Sequence, residues 1–164
     1  MLTYTYVSKG NTFNGANYKI DVLWPLENSN KAYVADRNID DANYLSTVCN
    51  VKLKSGSDVL SIMMTGDATI ETENNIIKYS KSTDVLKVGH HGSKYSSGEK
   101  YLKKIHPMYS IISCSINNRY NHPNPETIER LKAVNSNIYF TMNGGQIDVY
   151  KDDGRVEVVD HIPN

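Results

Sequence analysis

The chain has no histidine before His90, so all five histidines of its 164 residues fall in the second half. The first half therefore lacks the side chain most used to hold a catalytic metal or to shuttle a proton near neutral pH. Cysteine is scarce too: only Cys49 and Cys114 occur, each within a stretch that reads as strand and without a short metal-type spacing between them. Two buried free thiols are the expectation, and low cysteine use fits a reducing cytoplasm. Apolar runs such as Ile62-Met63-Met64 are far short of the ~20 residues a membrane helix needs, and no basic, apolar, small-residue signal opens the sequence. A soluble cytoplasmic protein with no membrane segment is expected, brought to a membrane only by a partner. Net charge is also missing: 18 basic residues balance 18 acidic ones. The uniform basicity of a general nucleic-acid binder is thereby excluded, and any such contact must be local. Two phenylalanines and one tryptophan against twelve tyrosines suggest half-buried aromatic surface with wet hydroxyl tips.

What is present reads as one domain, long enough to bury roughly 70% of the surface that its unfolded form exposes. Tyr18, Ile20, Val22 and Trp24 alternate on one face of a strand that Pro25 stops. The polar, aperiodic stretch 27–43 reads as a long mobile loop. Residues 45–54 and 59–64, joined by a turn at Ser55-Gly56-Ser57-Asp58, make a hairpin. A helix over 69–80 anchored by Ile76 and Ile77 leads to a short strand over 84–88. Ser96 and Glu99 form a capping-box pattern ahead of a helix ending at Ile105, and 109–113 is again strand. Asn124, Pro125 and Glu126 open a helix that buries Ile128, Leu131 and Val134. Strands over 138–141, 146–150 and 155–159 close the chain as a β meander. The fold class is α/β, a mixed sheet with flanking helices.

Strands joined by a helical crossover are usually parallel, so residues just past 59–64 and 84–88 should meet at one sheet edge, where ligands bind in open α/β sheets. Those residues are Asp67 and the pair His90-His91. A carboxylate and imidazoles form an oxygen and nitrogen donor set that suits zinc or manganese. Gly66, Gly89 and Gly92 would let the backbone turn sharply and approach a bound ion closely, leaving amides accessible. Alone, Thr-Gly-Asp is more often a plain turn and His-His more often structural; at successive strand ends they read as a site.

Met64-Thr65-Gly66-Asp67, then Leu86-Lys87-Val88-Gly89-His90-His91-Gly92-Ser93, then Asn118-Arg119-Tyr120-Asn121-His122-Pro123-Asn124-Pro125 resemble the C-terminal half of the metallo-β-lactamase-fold domain of the competence protein ComEC and its stand-alone relatives. Asp21-Val22-Leu23-Trp24-Pro25 and the strand after Asn43 match in place and flavour, so the resemblance runs from about Lys19 to Tyr150. It implies half of an αββα sandwich, with Asp67 bridging two divalent ions and a histidine of the pair as terminal ligand. His91 is the favoured ligand, with His90 facing a substrate phosphate, although the sequence alone does not separate them. Ser93, Lys94, Ser96 and Arg119 would hold the anion. His122 would contact phosphate or leaving group at the rim, a reading balanced by that of an ordinary loop histidine. His106 and His161 read as surface residues.

One departure qualifies the resemblance. The family supplies most metal ligands from an earlier His-x-His-x-Asp-His segment, and no such segment occurs here. Catalytic zinc normally holds three protein ligands, so two ions need more donors than Asp67, His90, His91 and His122 provide. Three functional readings follow: a metal-dependent hydrolase of DNA-type phosphodiesters, inactive alone; a non-catalytic remnant or binding module that grips phosphate or nucleic acid at the same edge; and a structural fragment. The expected partner is a second copy of the chain or another chain that supplies the missing N-terminal half over an uncovered apolar sheet face.

Overall fold

Period-two alternation builds the first long strand, β2 (Tyr18–Trp24), which pairs antiparallel with β1 (Thr12–Asn14) and with β3 (Val48–Ser55). The computed structural model describes residues 6–27 and 39–161. The segment expected as a long loop over 27–43 falls mostly outside these residues; its described end joins a 3-10 helix, Ile39–Leu45. That helix takes up the start of the strand expected from residue 45, so β3 begins at Val48. From β3 the chain turns through Gly56 into β4 (Asp58–Met64), the expected hairpin.

Beyond β4 the pairing becomes parallel. Helix α1 (Ile70–Ile76) leads to β5 (Val85–Lys87), α2 (Glu99–Ile105) to β6 (Tyr109–Ile112) and α3 (Pro125–Ala133) to β7 (Asn137–Phe140). All seven strands form one sheet in chain order, with β4 to β7 mutually parallel. The meander expected at the end is replaced by two arrangements. β7 joins the main sheet because α3 returns the chain in the crossover sense, whereas β8 (Ile147–Asp152) and β9 (Arg155–Asp160) pair only with each other.

Alternation sorts the sheet's side chains between two cores. On the helix side Trp24, Val48, Met63, Leu86 and Ile112 pack with Ile76, Tyr101, Leu102, Ile105 and Leu131. On the other side Leu60 and Val85 pack against Val156, with Ile62, Tyr109, Ile111 and Val149 around them. A register shift between Val22 and Trp24 separates two residues expected on one face, and Trp24 joins the helix-side core. Its indole N–H donates to the Tyr44 carbonyl at 2.5 Å, which satisfies the one polar atom the ring would otherwise bury unpaired.

The hairpin β8–β9 covers part of the face that sequence reasoning left bare. Gly154 N–H donates to Asp58 Oδ1 at 2.9 Å, Tyr109 Oη to the Val156 carbonyl at 3.2 Å, and Lys151 pairs with Asp84 at 3.7 Å. Beyond the hairpin Tyr18, Leu53 and Met64 remain 45%, 41% and 40% exposed.

Leu102 lies wholly buried where α2 meets the sheet. Leu102→Ala removes apolar contact and leaves a cavity, so it should destabilise the fold by about 2–5 kcal/mol, read as a lower urea midpoint at unchanged slope. A loss below ~1 kcal/mol would mean that α2 does not anchor this core.

Candidate functional site

Because β4, β5 and β6 run parallel, the loops that follow them leave the same edge, and backbone hydrogen bonds draw them together. His90 N–H donates to the Gly66 carbonyl at 3.0 Å, Thr65 Oγ1 to the Lys87 carbonyl at 3.0 Å, and Ser96 Oγ to the Ala68 carbonyl at 2.6 Å. The third loop joins where Asn124 N–H donates to the Gly92 carbonyl at 2.9 Å. Gly92 has φ +84°, and a Cβ there would meet Pro123 Cβ at 2.5 Å, so only glycine lets the two loops approach this closely. Gly89 and Gly92 are buried, which makes them packing points between loops rather than the open amide cradle expected.

The histidine pair occupies an uncommon conformation. His90 (φ 47°, ψ 47°) and His91 (φ 55°, ψ 22°) are consecutive left-handed residues, an arrangement that costs on the order of 1–3 kcal/mol at each and persists only where the surroundings over-determine it. His91 Nδ1 lies 2.5 Å from the Ser113 carbonyl. A carbonyl only accepts, so Nδ1 carries the proton and Nε2 is the ring nitrogen left to meet a ligand. His90 stands between its neighbours, its ring centroid 6.4 Å from that of His91 and 5.6 Å from that of His122.

Asn118 clamps His122 in place: its Oδ1 accepts the His122 N–H at 2.8 Å and its Nδ2 donates to the His122 carbonyl at 2.7 Å. Burial holds the His122 imidazole below its ordinary pKa, reinforced by His90 and His91; the Asn124 side chain and the Asp67 carboxylate act in the opposite direction. Near neutral pH His122 is thus an uncharged ring. Tyr120 stacks on it at 5.7 Å, and the Arg119 guanidinium lies 4.6 Å from the Tyr120 ring and donates to its hydroxyl. His91, Ser113, Cys114, Asn118, Tyr120 and His122 line a cavity of about 320 Å³.

The sequence-expected residues divide by role. Asp67, whose N–H donates to Ser46 Oγ at 3.1 Å, lies with His90, His91 and His122 at one edge. Ser93 and Ser96, expected to hold an anion, are buried. Ser93 Oγ accepts the Tyr95 N–H at 3.3 Å, and Ser96 Oγ is the donor to Ala68 already described. Arg119 is exposed at the rim. His106 is exposed, and His161 sits 2.8 Å from Asp148 at the surface. Sequence reasoning overlooked Lys87, whose half-buried ammonium feels the Asp67 carboxylate; desolvation lowers its pKa. It also overlooked Glu73, Thr127 and Arg130.

Those last three brace the loop behind the histidines. The fully buried Glu73 carboxylate accepts N–H groups from Ser97 and Gly98, each at 2.7 Å. Thr127 Oγ1 donates to the Ser93 carbonyl at 2.9 Å, and Arg130 donates to the carbonyls of Lys94 and Ser96 at 3.0 and 2.9 Å. The expected capping box from Ser96 is absent: Gly98 is the N-cap of α2, and the acid that meets the backbone ahead of it comes from α1.

Among the described residues, no three histidine, cysteine, aspartate or glutamate side chains converge closely enough to hold one metal ion. The donor set of the described residues therefore does not by itself fit a zinc or manganese centre.

Comparison with known proteins finds three curated relatives, one of them named as a competence protein. It is 38% identical to ComE operon protein 3 of Bacillus subtilis over 90 residues, 54% of this chain and 12% of that protein. Recombination protein 2 of Haemophilus influenzae matches at 34% over 110 residues, 67% of this chain and 14% of the relative. Competence protein ComA of Neisseria gonorrhoeae matches at 27% over 134 residues, 78% of this chain and 19% of the relative. The chain thus spans less than a fifth of the length of each of these curated relatives. No family model matches it.

Burial pushes the Glu73 carboxyl up to about 7, against the two backbone N–H bonds and the nearby Arg130 charge that lower it. An acid whose folded pKa exceeds its unfolded value near 4.5 holds its proton longer in the native state. Its contribution is therefore fully present below pH ~4.5 and is lost as pH rises toward 7, by about 1.4 kcal/mol per unit. The urea midpoint of the wild type should fall between pH 5 and pH 8 relative to that of Glu73→Gln. Parallel pH profiles for the two proteins would contradict this assignment.

Proposed function

We propose that this chain is the phosphodiester-handling portion of a ComEC-like protein of DNA uptake, built as the second half of a metallo-β-lactamase-type domain. One observation carries the reading: three parallel-strand loops converge to set Asp67, His90, His91 and His122 at one edge, with His91 Nε2 left free to face a ligand. Similarity to a ComE operon protein, a recombination protein and a competence protein of three organisms supports the biological setting.

In this reading the substrate is a DNA-type phosphodiester that enters the cavity beside Tyr120 and His122. The His90 and His122 rings meet its oxygens as hydrogen-bond donors, and Arg119 at the rim supplies the fixed positive charge. Hydrolysis needs metal donors beyond those the described residues bring together, and a second segment or chain supplies them. The exposed Met64, close before Asp67 in the chain, and the equally exposed Leu53 and Tyr18 give such a segment an apolar surface to cover. The shortage of donors equally favours a second reading, in which the edge binds phosphodiester without cleaving it.

Metal content and turnover test the proposal together. Purified without chelator, the chain should carry fewer than two zinc or manganese ions and show no turnover of DNA or simple phosphodiesters. His91→Ala should lower residual metal uptake more than His90→Ala does, because only His91 has its ring orientation fixed by a second hydrogen bond. Two ions per chain with metal-dependent turnover that Asp67→Ala abolishes would sink the proposal of an incomplete site.

A further inference from the structure

A second surface lies along the sheet beside the histidine edge, where the chain leaves α1 and faces β4. Asp21, Asn50, Lys52, Ser61, Tyr79 and Lys81 are among the residues that line a groove of about 340 Å³ there. Val59 and Met63 line it as well, so the groove runs along one face of β4, whereas Asp67 and the histidines lie past that strand's C-terminal end.

Positive charge gathers at this groove although the whole chain is neutral. Lys9 Nζ lies 3.8 Å from the Tyr79 ring centroid and Lys78 Nζ 5.0 Å from it, while Lys52 and Lys81 line the groove itself. None of these four lysines makes an ion pair among the described residues. The acid within the groove, Asp21, is already engaged: its Oδ1 accepts from Lys19 Nζ and from Thr12 Oγ1, each at 2.9 Å. Lys52 acts on Asp21 as well, at longer range. Lys78 and Lys9 hydrogen-bond to the Tyr79 side chain, and the four ammonium groups stand without a salt-bridged carboxylate among the described residues, beside a Tyr79 ring that is 38% exposed.

We propose that the Tyr79 groove binds single-stranded nucleic acid, with Lys9, Lys52, Lys78 and Lys81 on successive phosphates and a base stacked on the Tyr79 ring. Lysines alone would take any polyanion. An aromatic ring set among them adds a face on which an unpaired base stacks, a combination that single-strand binders use irrespective of sequence. In a duplex the bases are stacked on one another and cannot reach the ring, so the chemistry favours the single strand. Lys9 now covers the ring; a phosphate that draws its ammonium away frees that face. The proposal does not depend on chemistry at Asp67 and the histidines.

The test is fluorescence anisotropy of a fluorescein-labelled oligothymidylate with the whole chain, over a range of salt. Four phosphate contacts give a log–log salt slope of about −2.8, and Lys52→Ala with Lys81→Ala should reduce it by about 1.4. Tyr79→Ala should weaken binding about tenfold, and Tyr79→Phe should restore it, since stacking needs only the ring. In an Asp67→Ala, His91→Ala background the tenfold loss on Tyr79→Ala should persist, which separates failure of this groove from failure of the histidine edge. Circular dichroism of each variant confirms that these surface changes leave the fold intact. Equal competition by duplex DNA or heparin, or binding indifferent to Tyr79→Ala, would overturn the proposal, as would no saturable binding at low salt.

Discussion

The Glu73 carboxylate is the constraint around which the candidate site is organised. A carboxylate wholly removed from water is costly unless hydrogen bonds replace its hydration, and here the N–H groups of Ser97 and Gly98 do so. That fixes the backbone just ahead of α2. Arg130, whose charge also acts on Glu73, holds the carbonyls of Lys94 and Ser96 a few residues earlier. Between these clamps the loop has little freedom, and that rigidity over-determines the left-handed pair upstream. Without it, His90 and His91 would relax toward ordinary backbone angles and their rings would leave the common edge.

The parallel core and its edge were legible in the sequence because both are local signals combined by a topological rule. Alternation marked β2 to β4, helix formers with a crossover marked β4 to β6, and the edge that carries Asp67 and His90-His91 followed from strand direction. Elements settled by distant contacts were not legible. The shift that moves Trp24 to the helix side depends on its pairing opposite Val48 in β3, and β7 resembled the first strand of a meander until α3 placed it beside β6. Ser96 was misread as a cap for the same reason. A capping box is a local pattern, whereas the acid at this helix start comes from Glu73, 25 residues before Gly98.

Within the site, residue types were easier to read than their orientation. The sequence identified both histidines of the pair, but only the bond from His91 Nδ1 to Ser113 distinguishes the one with a free Nε2. The family resemblance implied Ser93 and Ser96 as anion contacts, yet burial turns them inward to brace the loop. Lys87 and Arg130 went unnoticed because a lone basic residue in a strand or helix carries no pattern of its own.

The hairpin of β8 and β9 follows every strand of the sheet it covers, and one of its anchors, Gly154 on Asp58, joins residues 96 positions apart. On a ribosome the seven strands emerge and can pair before their cover has been synthesised, and the hairpin must then close a very long loop to reach them. Until it does, Leu60, Ile62, Val85 and Ile111 form an open apolar surface on a nascent chain. The last two strands thus act as a built-in protective cover, and the interval before they dock is when a holding chaperone has most to offer this polypeptide.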